Sequence, residues 1–124
     1  MARILVCDDS AFMRMILKKI LQEIGHEIVA EAANGKEAVR LCRQYKPDLI
    51  TLDITMPDMD GIEAARLIHE EEPLLRIVMV TAIGQRAIID EAVQAGASDF
   101  IVKPFDAGKI VATIHRLVGL AAAE

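Results

Sequence analysis

The sequence is poor in the residues that staple, stack or span. Its two cysteines, Cys7 and Cys42, are too few for a disulfide framework, and their spacing fits neither a zinc site nor a C-x-x-C redox pair. Tryptophan is missing, and one tyrosine with three phenylalanines leaves little material for platforms on which bases stack. No apolar run approaches the roughly 20 residues that a membrane span needs. The opening Met-Ala-Arg-Ile-Leu-Val-Cys has too short an apolar stretch, and no small-residue cleavage site, for a secretory signal. Basic residues are outnumbered, 14 against 19 acidic, and the net charge of -5 opposes binding to a phosphate backbone. Internal repeats, low-complexity tracts and linkers are lacking too. A disulfide-rich module, a membrane protein and a direct nucleic-acid binder are thereby excluded. Two unpaired thiols suit a reducing compartment, so a cytoplasmic location is expected.

What is present is ordinary globular material: 124 residues, 53% hydrophobic and 27% charged, which predict one domain over 1–124. Short apolar runs alternate with segments of helical period. Ile4 to Cys7 reads as a strand that stops at Asp8-Asp9. Ser10 can cap the next helix, whose Phe12, Ile16, Ile20 and Ile24 recur at a spacing of four, with Leu17 and Leu21 widening the stripe. Gly25 ends it. Glu27 to Ala32 is a second strand, and Asn34 with Glu37 makes a capping-box-like pair for a helix carrying Ala38, Leu41, Cys42 and Tyr45. Leu49 to Leu52 form the third strand, and Asp60 with Glu63 starts a helix that runs to about Glu71. Ile77 to Val80 is the fourth strand, followed by a helix from about Arg86 to Ala95. Phe100 to Val102 is the fifth, and after Lys103-Pro104 a last helix runs from about Ala107 to Leu120, capped by Asp106, with a fraying Ala-Ala-Ala-Glu end.

Strands alternating with helices argue for a parallel sheet covered on both faces, an α/β doubly wound sandwich of the flavodoxin-like kind with order 2-1-3-4-5. Every strand of such a sheet ends on one edge, and ligands bind there, where strand order reverses. Asp8 and Asp9 follow strand 1, Asp53 follows strand 3, Thr81 follows strand 4 and Lys103 follows strand 5. Each has an ordinary reading alone: a helix-start charge, a strand-end residue, a surface lysine. Their convergence on one edge is what singles them out. Two unit charges 4 Å apart repel by about 4 kcal/mol at an effective dielectric near 20, so crowded carboxylates must protonate, splay or take up a cation. All-oxygen ligands with room for water suit Mg²⁺. The ion and Lys103 would then form a cationic socket for a phosphoryl group, with Asp53 as its nucleophilic acceptor and Thr81 offering a hydroxyl.

These residues, and the stretches DDSAFMRMIL, DITMPDMDGI, TAIGQ and DFIVKPF, resemble the receiver domain of two-component response regulators. More narrowly they are similar to the stand-alone chemotaxis regulators of the CheY type, and the resemblance covers essentially the whole chain. It implies that Asp53 accepts a phosphoryl group from a histidine kinase, here a chemotaxis kinase. Asp9, Asp53 and the carbonyl of Thr55 would bind Mg²⁺ directly, with Asp8 acting through a metal-bound water. Lys103 would pair with the phosphoryl oxygens, or with the Asp53 carboxylate when no phosphate is bound. Thr81 would draw its loop inward and Phe100 would follow as the switch aromatic, and the Lys103-Pro104 bond would be cis. Ala82, Ile83, Ile88, Ile89 and Lys109 are placed with Phe100 on the output surface. Expected partners are a flagellar motor switch protein and a CheY-type phosphatase, met as a monomer, with no nucleic acid and no membrane. The chain would be a phosphoacceptor switch and not an enzyme. Met13, Met15, Met56 and Met59 are read as gap-fillers around the acidic edge, and His26, His69 and His115 as solvent-exposed.

A phosphorelay shuttle and the isolated receiver of a transcriptional regulator are the nearest alternatives. A flavodoxin-like electron carrier would want Ser and Thr where Asp8-Asp9 stand. An aspartyl-phosphate hydrolase would want a second Asp at Thr55.

Overall fold

Strand-forming runs and capped amphipathic segments alternate along the whole chain, and they assemble as a parallel sheet between two helical layers. The computed structural model describes residues 1–118 with the exception of Ile83. The strands are β1 (Arg3–Cys7), β2 (Glu27–Ala32), β3 (Leu49–Leu52), β4 (Arg76–Thr81) and β5 (Asp99–Val102). The helices are α1 (Ala11–Glu23), α2 (Gly35–Tyr45), α3 (Gly61–Glu71), α4 (Arg86–Gln94) and α5 (Ala107–Val118). All neighbouring strands are parallel and the order is β2-β1-β3-β4-β5, as expected. The expected fraying end and the Leu120 boundary lie outside the described residues.

Side-chain alternation divides the core in two. Leu5, Cys7, Ile50, Leu52, Ile77 and Met79 face the layer of α2, α3 and α4. Ile4, Val6, Leu49, Val78, Val80 and Ile101 face α1 and α5, whose Leu17, Leu21, Ile110 and Ile114 are fully buried. The β1–β2 ladder slips by one residue, since Ile4 pairs with Ile28 but Leu5 with Ala30. That bulge at Val29 puts Ile28 under one layer and Ala30 under the other, where strict alternation would have put both on one face.

The caps form where short polar side chains precede α1, α2, α3 and α5. Ser10, Asn34, Asp60 and Asp106 accept from the backbone N–H groups of Met13, Glu37, Glu63 and Lys109. The Glu37 carboxylate reaches back one residue further than a capping box requires and accepts from Ala33 N–H. Expectations for Phe12, His26 and Met15 are corrected. Phe12 is 64% exposed and does not join the α1 stripe. A spacing of four advances about 40° around a helix at each step, which carries Phe12 away from Leu17 and Leu21. His26 is buried, its Nδ1 accepting the Ala2 N–H at 3.0 Å, because it closes the turn into the edge strand; His69 and His115 are exposed as expected. The methionines divide: Met56 is buried and Met13 and Met59 half-buried, but Met15 lies on the surface.

Candidate functional site

The C-terminal ends of β1, β3, β4 and β5 form one rim, and the polar residues singled out above meet there. Asp8 leaves β1 buried, its N–H donating to the Ala32 carbonyl at 3.1 Å and its Oδ1 accepting from Ser10 N–H at 2.9 Å. Asp53 leaves β3, also buried, with its N–H donating to the Cys7 carbonyl at 3.1 Å. Asp9 is exposed at the mouth. Each of the three carboxylates offers an oxygen within 4.8 Å of the other two. Such a trio is the all-oxygen donor set that suits a hard divalent cation, so the residues present fit Mg²⁺.

Lys103 closes the rim from β5, its backbone N–H donating to the Thr81 carbonyl at 2.7 Å and its bond to Pro104 cis. Its Nζ donates to Asp8 Oδ2 at 2.8 Å and lies 3.5 Å from Asp53 Oδ2. The expected ion pair with Asp53 is therefore present, and Lys103 also makes a shorter hydrogen bond to Asp8. Burial pushes the Asp53 carboxyl above the usual carboxylate range; Lys103 opposes the shift, Asp8 and Asp9 add to it, and Thr55 N–H opposes it. Burial alone would lower the Lys103 ammonium, but the Asp8 hydrogen bond and the Asp53 charge carry it above its ordinary value. The site thus holds more negative charge than one lysine offsets.

Thr81 is buried at the end of β4 and Thr55 exposed after β3. By alternation Thr81 shares the face of Met79, and the half-buried Phe100 pairs with Met79 across the β4–β5 ladder on that same face. Ala82 and Lys109 are exposed, and Ile83 lies outside the described residues. Phe100 and Lys109 also line a cavity of about 390 Å³ with Val102, Pro104, Phe105 and Arg116.

Sequence reasoning missed what supports this rim. A Cβ on Gly61 would collide with the Asp53 carbonyl oxygen, and one on Gly35 with that of Met59, so both glycines admit the backbone of the β3–α3 loop. Arg14 Nη1 donates to the Asp8 carbonyl at 2.7 Å. The available signal was a cation near the start of α1, where the helix dipole disfavours one.

The response regulator receiver domain family matches residues 4–115. The chain belongs to that family. Among curated relatives, this receiver is 51% identical to the chemotaxis protein CheY of Bacillus subtilis over 92% of this chain and 95% of that protein. It is 47% identical to CheY of Thermotoga maritima over 93% and 96%. Among solved structures, a chain of the CheX-CheY-BeF3-Mg+2 complex from Borrelia burgdorferi superposes with a TM-score of 0.90 at 36% identity, covering 93% of this receiver and 87% of that chain. Family membership sets aside the electron-carrier and hydrolase readings. Among the described residues no helix is long and apolar enough to cross a membrane.

Proposed function

We propose that Asp53 is the phosphoacceptor of a Mg²⁺-dependent switch fed by a histidine kinase, with residues 1–124 acting as one receiver. The observation that carries this reading is the trio Asp8, Asp9 and Asp53 within 4.8 Å, set beside Lys103 Nζ. Asp9, Asp53 and the Thr55 carbonyl would hold the ion, and Asp8 would hold its water. Bound there, Mg²⁺ would neutralise the carboxylates and withdraw charge from the phosphoryl oxygens.

The reaction asks the chain mainly for positioning. An Asp53 carboxylate oxygen attacks phosphorus; a P–O bond forms, the P–N bond to the donor imidazole breaks, and the imidazole leaves with the electron pair and takes a proton from solvent. Lys103 holds the phosphoryl oxygens. The buried Thr81 hydroxyl turns to them, drawing its loop inward at Ala82, and Phe100 on the same face occupies the space released. The surface around Phe100, Ala82 and Lys109 then changes its partner preference. Kinship with CheY supports a chemotaxis kinase as donor, a flagellar motor switch protein as target and a CheX- or CheY-type phosphatase to end the signal, with a cytoplasmic monomer acting. Asp53 is consumed and regenerated as the acceptor, so the protein is a signalling switch more than an enzyme.

Incubation with acetyl phosphate and Mg²⁺, read by intact mass, should give one phosphoryl adduct on the wild type. Asp53→Asn should give none, and chelation should abolish the adduct on the wild type. An adduct on Asp53→Asn equal to that on the wild type would overturn the assignment.

A further inference from the structure

Asp8 is tied by both of its backbone groups to the last two residues of β2. Its N–H donates to the Ala32 carbonyl at 3.1 Å, and its own carbonyl accepts from Arg14 Nη1 at 2.7 Å. Arg14 Nε in turn donates to Glu31 Oε1 at 3.1 Å, and Lys18 Nζ holds the other Glu31 oxygen at 2.6 Å. The Arg14 side chain is only 18% exposed, so this fork is fixed between α1, β2 and the β1–α1 turn. The bulge at Val29 sets the register that leaves Glu31 within reach of α1. Hydrogen bonding from Lys18, with Arg14 adding to it, keeps the Glu31 carboxyl below the usual range, so the anchor stays ionised at neutral pH.

We propose that Arg14 is a positioning residue: by joining the Asp8 carbonyl to Glu31 it fixes the β1–α1 turn and holds Asp8 and Asp9 at their spacing from Asp53. The proposal rests on the metal-site reading above for its consequence, and on the hydrogen bonds alone for the brace. Arginine is required because one planar head must serve a carbonyl and a carboxylate at once, which a single ammonium on a flexible stem does poorly. Groups that orient metal ligands from behind commonly change affinity by about 10–100-fold when removed.

The test compares wild type, Arg14→Ala, Arg14→Lys and Glu31→Gln by amide hydrogen exchange without metal and by calorimetric titration with Mg²⁺. In Arg14→Ala the Ser10 amide, which donates to the Asp8 carboxylate, should lose about tenfold of its protection while amides of β3 and β4 keep theirs, and Mg²⁺ should bind about tenfold or more weakly. Arg14→Lys should fail to restore either, and Glu31→Gln should lose less in the same direction. Ser10 protection that falls only in step with the core strands would overturn the brace, as would unchanged Mg²⁺ affinity in Arg14→Ala. Wild type that takes up no Mg²⁺ would sink the metal reading, while the exchange data still decide whether Arg14 holds the turn.

Discussion

Asp53 is a buried carboxylate facing two others, and its raised pKa is a statement about stability. A folded-state value above the unfolded one means that ionising Asp53 opposes folding. The opposition is full above the folded pKa and gone below the ordinary value of 3.8. Metal-free Asp53→Asn should therefore melt higher than wild type at pH 7, with the gap closing as pH falls through that window; equal Tm values at pH 7 would contradict the account. Thr51 carries a second cost. Its hydroxyl is buried between Val6 and Val78 of the flanking strands, with no partner among the described residues. Thr51→Val keeps the shape and removes the stranded group, so it should stabilise by about 1 kcal/mol, read as a rise in denaturation midpoint. The cysteines are inert by burial: Cys42 is pushed up to about 12 and Cys7 further in the same direction, so neither should alkylate in the native state at pH 7.

At the scale of elements, the helices are held unequally. Four buried side chains each anchor α2 and α3, whereas α4 buries only Ala92 and has no side-chain cap at Gln85. Gln85→Ser should supply that cap and stabilise α4 by about 0.5–2 kcal/mol, visible as slower amide exchange within the helix. Gly61→Ala acts oppositely. The added carbon meets the Asp53 carbonyl, so α3 or the β3–α3 loop must move, costing about 1–3 kcal/mol and lowering Tm. The elements themselves were legible because their signals are local: a capping side chain before each of α1, α2, α3 and α5, and a strand stopping at each functional residue. The contents of one helix face were less so. Phe12 fits a spacing of four in the sequence, but only the packing of α1 against β2 and α5 decides which side of it is buried.

At the scale of the molecule, topology supplied most of the site. Once the order 2-1-3-4-5 is accepted, Asp8, Asp9, Asp53, Thr81 and Lys103 have to share one rim, and they do. Unreadable from the chain were the contacts made across it. Lys103 bridges Asp8 as well as Asp53, His26 is drawn inside by the Ala2 amide, and Arg14 finds the Asp8 carbonyl, a partner that its place near the start of α1 does not name. Each depends on residues 6 to 95 positions apart, beyond the reach of periodicity or capping rules.

Whether that rim takes up a cation is tested most directly by calorimetric titration with Mg²⁺ followed by melting. Wild type should show saturable heat and a Tm that climbs with Mg²⁺, by about 2.7 kcal/mol of stabilisation at a hundredfold excess over Kd. Asp9→Asn should lose most of both. Absence of heat and of stabilisation in the wild type, or an Asp9→Asn variant that binds as well, would contradict a cation site there.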